Sequence, residues 1–306
     1  MQYKKQPLTI DEQISKLENR GLNFSDKTLA AQYLQNISYY RLRAFTYPFQ
    51  NNSIDADHEF IRNDIEFTDI IDLYVFDKRL RSLIFSEIEK IEIAVRTKLS
   101  LLYSLSTQNA LWYEDINVYN SEAEIKKTLY DIKSEIDRSN EDFIKHYRQK
   151  YDSPSMPPSW MTLEVVSFGT LSRLYKKLNT CCEKREIANQ FGIGNEDIFA
   201  NWLHALSNLR NCCAHHSRIW NRRFLVQIRL PYNTTCPFIP RDAINKIRKN
   251  KLFALLSAIK YIVDIISPGN SFKKNLLKLL KQHNRLLTLK EMGFPSNWET
   301  LPVWTK

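Results

Sequence analysis

The segment "LYVFDKRLRSLIFSEIEKIEIAVRTKLSLL", residues 73–102, decides the class of fold. Leu73, Phe76, Leu80, Leu83, Ile84, Ile88, Ile91, Val95, Leu99 and Leu102 recur at spacings of three and four. That period lines one face of a helix and predicts a single long helix from about Thr68 to Leu105. Outward from it, the same period runs through most of the chain. No strand series and no internal repeat interrupts it. The expected class is all-α, with "FLVQIRL" at 224–230 the one stretch that reads as a minor strand.

On the N-terminal side, Thr9 followed by Glu12 is a capping-box start, and Gly21 is a stop for the helix between them. A second helix is expected from about Ser25 to Asn36, and "ISYYRLRAFTYPF" follows, closed by Pro48. "NNSIDADHE" reads as a polar linker. On the C-terminal side, residues 121–151 are charged but helical in composition and predict a solvent-facing helix pair. The prolines of "SPSMPPSW" forbid a helix. Helices are then expected over 161–178, 201–224 (with Asn195 as N-cap), 242–266 and 270–284.

Composition bounds the function. A chain of 306 residues holds one large domain or two small ones. With 43% hydrophobic and 25% charged residues, it falls in the range of ordinary soluble globular proteins. Six glycines and 11 prolines exclude a turn-rich β chain. A formal net charge of +10 makes a polyanion the better partner. The start "MQYKKQPLTIDEQ" lacks the apolar core of a secretory signal. The longest apolar run, "LFALLSAIKYIVDII", is interrupted by Lys260 and Asp264 and reads as a core helix, so no membrane span is expected. Five cysteines, in two adjacent pairs plus Cys236, form no disulfide framework and fit a reducing cytoplasm.

The chemistry concentrates in "NWLHALSNLRNCCAHHSRIWNRRF", residues 201–224. Read as one helix, Phe199, Trp202, Leu206, Leu209, Cys213 and Trp220 share an apolar face, while His204, Asn208, Asn211, His215, Arg218 and Arg222 share the opposite one. Asn211 stands four before His215, so its amide can orient the imidazole. Arg218 stands one turn beyond. Arg210 lies five before, roughly 140° round the helix and ~7.5 Å along it, within reach of a long side chain. Guanidiniums grip phosphate oxygens with paired donors, and imidazole exchanges a proton near neutral pH. RNA brings its own nucleophile in the 2′-hydroxyl, so this set suits a phosphodiester without metal or cofactor. The bland alternative is a solvated polar face. Cys212, Cys213, His215 and His216 do not make a zinc site, because neighbours on a helix point ~100° apart and no C-x-x-C spacing exists. His216 points away from His215 and reads as a packing or interface residue.

Two further groups carry cations. Tyr40, Arg41 and Arg43 mix stacking faces with charge, as single-stranded RNA sites do; Tyr39 beside them reads as packing. Glu92 and Arg96 are an i, i+4 pair with the spacing of a modest surface salt bridge, and on a cleft wall Arg96 would help to hold phosphate.

"RNCCAHH" fits the R-x4-6-H pattern of HEPN-type ribonucleases in its R-N-x-x-x-H form. With "ISYYRLRAF", "LYVFDKRLRSLIFSEIEKIEIAVRTKL", "PPSWMTLEVVSFGTLSRLYKKL" and "WLHALSNLRNCCAHHSRIWNR" in that order, the chain resembles the AbiD/AbiF-like abortive-infection proteins from about residue 7 to 265. The resemblance implies an all-α HEPN-like bundle with an N-terminal helical extension: residues 1–52, then 60–285, then a tail over 286–306. It implies a metal-independent endoribonuclease in phage defence, with Arg210 and His215 catalytic and Asn211 supporting them. Arg218, Arg222, Tyr40, Arg41, Arg43 and Arg96 would then bind RNA, whether substrate or regulator. The chain holds one R-x4-6-H locus, so a two-motif cleft implies a homodimer. A non-catalytic RNA-binding protein of the same defence remains the alternative.

Overall fold

A computed structural model of the chain describes residues 2, 6–282 and 286–305. In chain order the helices are α1 (Ile10–Asn19), α2 (Lys27–Asn36), α3 (Tyr39–Thr46), α4 (Phe67–Thr107), α5 (Glu122–Arg138), α6 (Asp142–Lys150), α7 (Ser159–Val165) and α8 (Phe168–Lys177). There follow α9 (Cys182–Gln190), α10 (Glu196–Ala214), α11 (Arg241–Ile244), α12 (Leu252–Ile266), α13 (Phe272–Lys281), α14 (Leu289–Met292) and α15 (Pro302–Thr305). Among the described residues there is no strand, only three isolated bridges. The fold is all-α. Residues 224–230 form no strand and bend at Leu225 and Val226; Phe224 N–H bonds the Asn250 carbonyl at 2.9 Å and Ile228 N–H the Lys249 carbonyl at 3.1 Å. Among the described residues no helix is long and apolar enough to cross a membrane.

Contacts divide the chain into two compact units, Met1–Arg81 with Asn275–Thr288, and Ser82–Lys274 with Leu289–Lys306. In the first, the capping box closes reciprocally: Thr9 Oγ1 accepts from Glu12 N–H at 3.3 Å, and Glu12 Oε2 accepts from Thr9 N–H at 2.7 Å. Gly21 takes φ +90°, the left-handed turn that releases the chain from α1. Asp26, one residue past the expected Ser25, caps α2. The core here is Ile14, Leu17, Leu34, Leu42 and Phe45, with Phe45 edge-on to Tyr74 at 5.4 Å.

The second unit is built round α10, which packs on α8, α9 and α12, while α5 covers α7 and α8. Trp112, Trp202, Trp220, Trp304, Phe199 and Phe253 are fully buried there. Three expectations need correction. The helix expected over 161–178 is two helices, because Val166 is extended and Ser167 caps α8, its Oγ accepting from Thr170 N–H at 3.2 Å. Glu135 of α5 fixes that cap, accepting from Thr170 Oγ1 at 2.6 Å. The helix expected over 242–266 is α11 and α12, because "NKIRKN" supplies no continuous apolar face. The pair α5 and α6 is amphipathic rather than solvent-facing: Ile125, Ile132, Ile136, Ile144 and Tyr147 are buried. α13 stands for the helix expected over 270–284, of which 283 and 284 lie outside the described residues. Residues 289–305 carry α14 and α15 and bury Trp298 and Trp304. All five cysteines are free thiols.

Candidate active site

α10 starts at Asn195, whose side-chain oxygen accepts from Asp197 N–H at 3.0 Å and Ile198 N–H at 2.9 Å. Phe199, Trp202, Leu206, Leu209 and Cys213 form its buried face. The helix does not run on to Phe224. It ends at Ala214. Ser217 N–H reaches the Cys212 carbonyl at 2.9 Å, and His216 N–H the Cys213 carbonyl at 3.1 Å, around His216 at φ +56°. This is the Schellman closure, in which the left-handed residue is commonly glycine. The chain therefore turns immediately after His215. Arg218 and Arg222 leave the polar face of α10 and follow a non-helical path that buries Ile219 and Trp220.

The left-handed position of His216 gives a first prediction. His216→Gly should melt at or above the wild type, whereas His216→Val should lose about 1–2 kcal/mol, the cost of holding an L residue left-handed. Equal melting of the two in calorimetry would refute the turn.

Arg210 points to α4. Its Nε lies 3.6 Å from Glu92 Oε2, and its guanidinium stands over the Phe85 ring at 5.7 Å. The other Glu92 oxygen accepts from Arg96 Nη2, and Arg96 Nη1 donates to the Leu163 carbonyl. Glu92 and Arg96 are 7% and 8% exposed, so this pair is buried, not the expected surface bridge. One carboxylate thus holds two guanidiniums. A cleft of about 280 Å³ opens between them, walled also by Phe85, Glu89, Ile93 and Glu164. Two guanidiniums meet three carboxylates there, so the cleft itself carries no excess positive charge. The Asn211 amide oxygen accepts from Arg210 Nη1 at 3.4 Å, not from the imidazole. His215 is tied by its backbone, N–H to the Asn211 carbonyl at 2.9 Å, and its ring is exposed.

His204 lies about three turns before His215 on α10. Burial first, then the charges of Lys176 and Arg173 on α8, holds its imidazole below the usual histidine range. Tyr40, Arg41 and Arg43 belong to the other unit. Tyr40 and Arg41 are exposed, Arg43 Nη2 meets His58 Nε2 at 2.9 Å, and the Tyr39 hydroxyl accepts from Arg20 Nη1 at 2.9 Å as a packing residue. Among the described residues no group of three or more His, Cys, Asp or Glu is placed to hold a metal ion.

Glu92 is the residue that sequence reasoning undervalued. It falls four after Ile88 and one after Ile91, roughly 40–100° off the apolar stripe, which was the available sign of partial burial. Its link to Arg210, far along the chain, has no local signal.

The fold and site define an all-α protein with a guanidinium–carboxylate cleft that Arg210 of α10 helps to line, and an exposed histidine at the end of the same helix. The family model described as Abi-like protein matches residues 32–221, more than half of the chain, and the chain belongs to that family. Membership points to a role in abortive infection. No curated protein and no solved structure matches the chain.

Proposed function

We propose that the chain is a HEPN-type endoribonuclease of abortive infection, acting on RNA in the cytoplasm as a homodimer. The observation that carries the reading is Arg210 fixed at a cleft by Glu92, five residues before an exposed imidazole at the end of the same helix. His215 would move the proton, Arg210 would hold the charge of the phosphorane, and the substrate's 2′-hydroxyl would attack. Asn211, bonded to Arg210, positions the guanidinium rather than the imidazole.

One observation favours a second reading. Arg210 already faces a carboxylate, and a guanidinium so engaged suits a binding protein that uses the outlying arginines. Sequencing RNA 5′ ends from cells expressing wild type or His215→Ala separates the two. New ends that depend on His215 mark the enzyme, and their absence marks the binder.

The dimer draws support from α4. Phe85, Ile93, Leu101 and Leu105 recur at multiples of four on its exposed side, and Trp160 beside them is 53% exposed. Such a ridge on a monomer marks an interaction surface, and Phe85 and Ile93 adjoin the Arg210 cleft. Sedimentation should give a mass near twice 36.2 kDa for the wild type and near 36.2 kDa for Leu101→Glu. A Leu101→Glu protein still at the double mass would move the interface elsewhere.

A further inference from the structure

From Asp197 to Asp242 the chain contains no acidic residue, and again none from Asp242 to Asp264. The first interval holds Arg218, Arg222 and Arg223, the second Lys246, Arg248, Lys249 and Lys251. The fold lays these two basic runs side by side. Phe224 N–H bonds the Asn250 carbonyl at 2.9 Å, Ile228 N–H the Lys249 carbonyl at 3.1 Å, and Lys251 Nζ donates to Asn221 Oδ1 at 3.0 Å.

Lys251 is 4% exposed, and its ammonium donates to the neutral Asn221 amide. Burial first, then the charge of Arg248, holds its pKa below the usual lysine range. Arg223 and Arg218 act the same way, and Glu291 opposes them. Gly293 (φ +91°) packs close against Lys251, so that a Cβ on the glycine would come within 2.6 Å of Lys251 Cβ. Collecting like charges round a buried ammonium costs stability unless something anionic offsets it. Arg223 and Arg248 are exposed, so an anion can reach them.

We propose that Arg218, Arg223 and Arg248, gathered round Lys251, form a second phosphate-binding site that takes the RNA backbone beyond the bond cut at His215. This rests on RNA as the substrate. The chemistry is that of a strand's phosphodiesters: guanidinium donors carried on two segments that backbone hydrogen bonds join. Arg218 follows His215 by three residues, so the turn that ends α10 links the two along the chain.

The test uses an oligouridylate with 2′-O-methyl riboses, which the proposed chemistry cannot cleave, and follows its affinity against salt by fluorescence anisotropy. Each phosphate neutralised on a single strand contributes about 0.7 to the log–log slope. Arg223→Gln/Arg248→Gln should lower the slope by about 1.4 and weaken binding roughly 25-fold at ~0.1 M salt, if affinities converge near ~1 M. Arg248 also donates to the Lys290 carbonyl, so Arg223→Gln alone, expected to lower the slope by about 0.7, separates lost binding from lost stability. Wild-type slope and affinity in both variants would overturn the site, even if the wild type cleaves RNA. A wild type whose steep slope is lost in the variants, yet which never cleaves, supports the site and removes the ribonuclease reading. A wild type without salt-dependent affinity overturns both.

Discussion

His215→Ala should lose at least ~100-fold in RNA cleavage, the effect of removing a group that transfers a proton in the transition state. The loss should be in turnover and not in folding. His215 is exposed, and what holds the end of α10 is its backbone N–H on Asn211, which alanine keeps. On the proposed mechanism the imidazole transfers the proton, the guanidiniums stabilise charge, the Glu92 carboxylate is engaged by Arg96 and Arg210, and the substrate's 2′-hydroxyl is the nucleophile. Products should end in a 2′,3′-cyclic phosphate and a 5′-hydroxyl, a 2′-deoxyribose at the cleaved position should block the reaction, and EDTA should leave the rate unchanged. Magnesium-dependent cutting, or efficient cutting of DNA, would defeat this mechanism.

The parts of the molecule with local causes were legible. The Thr9–Glu12 box, the Asn195 cap and the apolar stripe of α4 all rest on residues a few positions apart, and each forms as its spacing dictates. Three breaks escaped, for different reasons. Ser167 ends one helical pattern and caps the next, but it depends on Glu135 from another helix. The end of α10 uses histidine where glycine is usual, so the stop carried no glycine signal and Trp220 prolonged the apparent stripe. The run 245–251 was read through because the strong apolar period of α12 follows it. The spacing of Arg210, Asn211 and His215 on one helix singled them out as candidates. What they touch was not legible: the engagement of Arg210 by Glu92, and of Asn211 by Arg210, depends on packing between helices. Tertiary contacts also explain why Arg96, an exposed cation by its i, i+4 spacing, is buried against the Leu163 carbonyl.

Glu92→Ala should produce a large loss of stability. Glu92 is the carboxylate for both Arg96 and Arg210, and Arg96 is itself buried. Removing one partner of a buried pair strands the other's charge and costs about 3–5 kcal/mol. Most of that comes from Arg96, since Arg210 is 30% exposed and water screens it in part. For a chain of this size the melting temperature should fall on the order of 10 °C. Replacing both groups, as in Glu92→Leu/Arg96→Met, should recover most of the stability, because no buried charge is then left without a partner. Cleavage should not recover with it. Arg210 would still lack the carboxylate that aims it, so turnover measured well below the melting point should stay low in the double variant. A single variant that melts within about 1 kcal/mol of the wild type would show that Glu92 does not carry the buried charge of Arg96. A double variant that regains both stability and turnover would show that Arg210 finds its place without it.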